Sequence, residues 1–63
     1  MQKTVILGAG ESGIGAAVLS KKLGNDVFLS DISNISDEAK TILDNHNISY
    51  EEGQHTRELI LDS

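Results

Sequence analysis

The sequence predicts an α/β fold: one half of a doubly wound parallel sheet, built β-α-β-α-β-α. Two short runs, Val5-Ile6-Leu7 and Val27-Phe28-Leu29, are apolar on both faces, the habit of buried parallel strands. The segments that follow them carry helical patterning, and strands alternating with helices imply parallel pairing with right-handed crossovers. In the usual doubly wound order the three strands lie 3-2-1, and a fourth, not present in the chain, would pair beside the first.

Lys3-Thr4-Val5-Ile6-Leu7 reads as the first strand. A glycine-rich turn follows, then a helix over about residues 12–23, with Gly24 as its C-terminal stop. Asp26-Val27-Phe28-Leu29-Ser30 reads as a second strand that ends at Asp31, and the polar stretch "SNIS" as a loop. Ser36 is placed to cap a second helix, with Asp37 and Glu38 in the first turn where negative charge is favoured. Ala39, Ile42, Leu43 and His46 fall on one stripe of that helix. Ile48-Ser49-Tyr50-Glu51 alternates apolar and polar, as a strand nearer a sheet edge does. After Gly53, Thr56 is placed to cap a third helix with Leu59, Ile60 and Leu61. Met1 stands directly before the first strand and reads as a native start, whereas the end reads as cut. The whole of residues 1–63 is therefore expected to be one partial domain.

A chain of 63 residues buries only about 60% of its unfolded surface, which leaves it marginal alone. It has no Cys, so disulfides are excluded and a reducing, cytoplasmic setting is expected. No signal-like start or membrane-length apolar run is visible. Ten acids against five bases give a formal charge of −5, which argues against nucleic acid as a partner. A small anion can still bind locally at a helix N-terminus.

Gly8-Ala9-Gly10-Glu11-Ser12-Gly13 fits G-x-G-x-x-G between a strand and a helix. In that setting Gly8 permits the turn, Gly10 lets a pyrophosphate approach the backbone, and Gly13 lets helix and sheet pack closely. Asp31, 18 residues after Gly13, has three readings open to it. It can accept from ribose hydroxyls, accept from a uracil N–H, or bond its own loop backbone. Glu11 beside a phosphate is electrostatically unfavourable and reads best as a solvated acid. His46 reads as a partly buried helix-end residue and His55 as a loop residue, with no metal-ligand spacing between them. No nucleophile–base pair can be assembled.

The stretch "VILGAGESGIGAAVLSKKLGNDVFLSD", with "EEGQHT" after it, closely resembles the N-terminus of the Mur ligases that add D-glutamate to UDP-N-acetylmuramoyl-L-alanine in peptidoglycan synthesis. The resemblance covers essentially the whole chain. It implies a Rossmann-like domain that holds the UDP part of the substrate. Glu11 and Ser12 would lie against the pyrophosphate, Gly8, Gly10 and Gly13 would complete the UDP-binding loop, and Asp31 with the Ile32 backbone would read the uracil. Many relatives carry a hydroxyl residue after this Asp, so only the backbone role passes to Ile32. ATP, Mg2+ and D-glutamate would be held by segments that this chain does not contain, and the chain alone is expected to be inactive. The competing expectations are the N-terminal half of an NAD(P)- or FAD-binding oxidoreductase, and a regulatory nucleotide-binding module. Ala16, Leu19 and Leu23 form a second apolar side of the first helix. Together with an unpaired first strand, this leads to the expectation that copies dimerise edge to edge.

Overall fold

The computed structural model describes residues 3–54, so His55 and the expected third helix lie outside the described residues. The elements are β1 (Lys3–Leu7), α1 (Glu11–Lys22), β2 (Asp26–Asp31), α2 (Asp37–Asn45) and β3 (Ser49–Glu52). All strand pairing is parallel, in the order β1-β2-β3, which is the expected 3-2-1 order read from the other edge. This is an open three-stranded sheet of Rossmann-like α/β type.

Register decides what faces the helices. Ile6 lies beside Leu29, Leu29 beside Tyr50, and Asp31 beside Glu52. Val27 and Leu29 meet Ile14 and Ala17 of α1, Ala39 and Leu43 of α2, and Ile35 and Ile48 from the flanking turns in one buried cluster. Leu29 and Leu43 are fully buried, each contributing about 1.5–3 kcal/mol of apolar transfer. Two details depart from the sequence reading. Ile35 of "SNIS" is buried in the core, so that loop is not merely polar. Ile42, expected on the inner stripe of α2, is instead 39% exposed. β1 is the edge strand that was expected, of central-strand composition: none of its residues is fully buried, and Leu7 is 63% exposed. The two-sided character of α1 is present as read: Ile14 and Ala17 are buried, while Ala16, Leu19 and Leu23 are exposed.

Both helices end through a left-handed residue. Gly24 (φ 88°) follows α1, with Gly24 N–H donating to Lys21 O and Asn25 N–H to Ser20 O. Asn47 (φ 57°) does the same after α2, with Asn47 N–H donating to Asp44 O and Ile48 N–H to Leu43 O. The second cap uses the Ile48 amide, which is why β3 begins at Ser49 rather than at Ile48. At the other end of α2, the Ser36 hydroxyl accepts from Ala39 N–H at 3.1 Å, as its capping pattern predicts.

Gly13 fixes how closely α1 sits on the sheet. A Cβ there would overlap the carbonyl oxygen of Gly8 and touch the Ile6 side chain at 3.5 Å. Gly15, one turn position on, meets nothing within 4 Å, and no contact in the structure requires a glycine there. Gly13→Ala is therefore expected to lower unfolding free energy by about 1–3 kcal/mol through overpacking against backbone. Gly15→Ala is expected to raise it by up to about 1 kcal/mol from helix propensity. Urea unfolding of the two variants beside the parent chain checks both signs.

Candidate functional site

The loops at the carboxyl ends of the three strands form the site. The first, Gly8 to Gly10, turns from β1 into α1 with Gly8 at φ 108°, a conformation open to glycine and costly for other residues. Gly8 N–H donates to Ser30 O at 2.7 Å, which carries the β1–β2 ladder into the turn. Gly10 is the N-cap of α1, its own side offers no capping oxygen, and Ile14 N–H is bonded to Gly10 O at 2.9 Å. The amides of Glu11, Ser12 and Gly13 precede that first helical bond, so helix geometry gives them no intrahelical acceptor. Glu11 and Ser12 are both exposed. Gly10 itself has negative φ and nothing within 4 Å of where a Cβ would stand.

Asp31 ends β2 and joins this loop to the next. Its Oδ2 accepts from Ala9 N–H at 2.7 Å and its Oδ1 from Ser33 N–H at 2.8 Å. The local-backbone role, one of the three readings open from sequence, is thus the one the structure shows. Ile32, the next residue, projects a 62% exposed side chain. The structure therefore brings Gly8, Gly10, Glu11, Ser12 and Gly13 into one turn, and Asp31 is tied directly to that turn through Ala9. Ile32 opens the adjacent loop.

The third participant was not singled out from sequence. Glu52, at the end of β3, accepts from Ile35 N–H at 2.9 Å through Oε1 and pairs with Lys40 of α2 at 2.6 Å through Oε2. Gly53 N–H donates to Ser33 O at 3.1 Å. A weak signal was available: acids at the ends of two consecutive strands, Asp31 and Glu52, stand side by side in register. His46 lies at the far end of α2, where its Nδ1 is 2.9 Å from Ile42 O, and takes no part. Beside the glycine turn, a groove of about 390 Å³ runs between α1 and α2, lined by Ala9, Glu11, Ile14, Ser36, Ala39 and Ile42 among others. Among the described residues no group of three or more His, Cys, Asp or Glu could hold a metal ion, and no helix is long and apolar enough to cross a membrane.

Residues 3–62 match the family model of the MurD N-terminal domain. The chain belongs to the MurD N-terminal domain family. Among curated proteins, it is 61% identical over 61 residues to the UDP-N-acetylmuramoylalanine--D-glutamate ligase of Bacteroides fragilis, covering 97% of the chain and 14% of that ligase. To the ligase of the same name from Bacteroides thetaiotaomicron it is 59% identical over 63 residues, covering 100% of the chain and 14% of the relative. To that of Christiangramia forsetii it is 52% identical over 62 residues, covering 98% and 14%. This MurD N-terminal domain sequence thus spans about one seventh of the length of the curated relatives it matches. No solved structure gives a significant match.

In this MurD N-terminal domain the Lys40–Glu52 pair has a definite pH signature. The Lys40 hydrogen bond, and then the Ile35 N–H, hold the Glu52 carboxyl below its ordinary value of 4.5. The same hydrogen bond to Glu52 raises Lys40 above 10.5. A lowered carboxylate contributes stability that is present above the ordinary value and lost as pH falls through the folded one. The pair is 31% exposed on each side, so solvent screens it and the effect is small. The parent chain is expected to outlast Glu52→Gln in urea at neutral pH, and the gap is expected to close as pH falls below 4.5. Unfolding midpoints across that range check it, and a gap that persists in acid contradicts it.

Proposed function

We propose that the chain forms the uridine-diphosphate-holding part of an ATP-dependent ligase that joins D-glutamate to UDP-N-acetylmuramoyl-L-alanine during peptidoglycan synthesis. The observation that carries the reading is Gly10. The fold gives a reason for Gly8, whose φ is positive, and for Gly13, whose Cβ would overlap backbone. It gives none for Gly10, which has ordinary extended geometry and open space above it. A bare backbone facing open space at a helix N-terminus is what an approaching diphosphate requires.

In this reading the amides of Glu11, Ser12 and Gly13 donate to the diphosphate, with Gly8 and Gly10 leaving room for it. The exposed Glu11 carboxylate turns toward water. The Asp31 carboxylate accepts from the uracil N–H, while the Ile32 backbone meets a ring carbonyl. Membership of the MurD N-terminal family and the names of the relatives favour the ligase over an NAD(P)- or FAD-binding oxidoreductase. The chain's part in the reaction is positioning: it anchors the nucleotide end of the substrate, away from the reacting carboxylate. In the ligase reaction that carboxylate takes the γ-phosphoryl group of ATP and ADP leaves. The amine of D-glutamate then attacks the acyl carbon, expelling phosphate and giving up a proton. The described residues offer neither a cluster for Mg2+ nor a lysine-bearing phosphate loop for ATP, so those groups are assigned to other parts of such a ligase. A nucleotide-linked precursor and ATP place the work in the cytoplasm, in the supply of wall material for cell shape and division.

Titration of the chain with UDP, followed by amide NMR shifts, is expected to move residues 10–13 with Asp31 and Ile32, and to respond more weakly to NAD. Gly10→Val is expected to keep the fold, since its side chain meets open space, and to lose the UDP response. A stronger response to NAD favours the oxidoreductase reading, and an undiminished UDP response in Gly10→Val removes the reading's main support. The chain alone, supplied with ATP and both substrates, is expected to release no phosphate above a protein-free control.

A further inference from the structure

Loop 32–36 carries the backbone that the proposed reading assigns to the base, and Asp31 ties its beginning through Ser33 N–H. Its far end is held from another strand. Glu52 Oε1 accepts from Ile35 N–H at 2.9 Å, and the neighbouring Gly53 N–H donates to Ser33 O at 3.1 Å. Lys40, one turn into α2, closes on Glu52 Oε2 at 2.6 Å and so attaches the helix that the loop leads into. Two carboxylates adjacent in register, Asp31 and Glu52, would ordinarily repel. Here each is compensated, Asp31 by two backbone amides and Glu52 by an amide and an ammonium.

We infer that Glu52 is a positioning residue for the nucleotide site: it holds loop 32–36 in its binding geometry through Ile35 N–H and Lys40 without touching the ligand. The inference rests on the nucleotide reading above. Glu52 acts in two separable ways. Its acceptor atom fixes the Ile35 amide, and its charge holds Lys40 while leaving Asp31 beside a neutralised pair. Glutamine at this position keeps a neutral acceptor and loses the charge, whereas alanine loses both.

The test is UDP affinity of the chain by NMR titration, with amide hydrogen exchange read at Ser33 and Ile35, for the parent, Glu52→Gln and Glu52→Ala. Apparent affinity falls in proportion to the fraction of molecules whose loop is competent. The expected loss is about tenfold for Glu52→Ala and about threefold for Glu52→Gln, a charge-assisted bond being roughly twice as strong as a neutral one. Exchange at Ile35 is expected to quicken in the same order while the β1–β2 amides keep their protection, a pattern that general destabilisation does not give. Should Glu52→Ala fail to fold, the glutamine variant decides alone: parent-like UDP affinity together with parent-like Ile35 exchange overturns the inference. Parent-like affinity in Glu52→Ala overturns it equally. Absence of any UDP response in the parent chain is a different failure, which removes the nucleotide reading itself and the inference with it.

Discussion

The close approach of Gly13 to the Gly8 carbonyl is the constraint on which the arrangement depends. It draws the N-terminus of α1 down onto the end of β1, which forces the connecting turn to be tight. A tight turn in turn demands the positive φ at Gly8 and leaves Gly10 as the N-cap, with its backbone uncovered. A side chain at Gly13 would lift α1 from the sheet. That would loosen the packing of Ile14 and Ala17 on Val27 and Leu29 and disturb the turn whose Ala9 amide Asp31 holds. One steric contact thus serves both the core and the face where an anion would be received.

A chain of net charge −5 presents Glu11, Asp31, Glu38 and Glu52 around the carboxyl ends of its strands, an unpromising setting for a diphosphate. The acids are not equivalent. Asp31 and Glu52 spend acceptor capacity on backbone amides, and Glu52 is also neutralised by Lys40. Glu11 is exposed, where water and salt screen it within a Debye length of about 8 Å. The donors facing an incoming phosphate are backbone amides at a helix N-terminus, whose attraction is local and indifferent to the global sum.

Much of this was legible in the sequence, for reasons that differ by element. β1 and β2 are apolar runs bounded by glycine and charge, and their limits fall where the pattern ends. Gly24 announced its own left-handed cap, whereas Asn47 did the same work unannounced, asparagine being a less specific sign of that conformation. β3 consequently starts one residue later than its alternation implied. Ile35 looked like part of a polar loop because its neighbours are polar. Its burial follows from the loop folding back over the core, and that geometry is set by Glu52 seventeen residues away. The glycine turn and Asp31 belong to a spaced pattern and could be read directly. Lys40 and Glu52 meet only when strands and helices are assembled, and no local pattern marks them.

In the proposed reading Gly10 is bare because a diphosphate must reach the first-turn amides of α1, and a crystal structure of the chain with UDP is the sharpest check. The diphosphate is expected within hydrogen-bonding distance of the Glu11, Ser12 and Gly13 amides, above Gly10, with the uracil against Asp31 and Ile32. A diphosphate bound elsewhere, at Lys21 and Lys22 for example, with open solvent over Gly10, would contradict it.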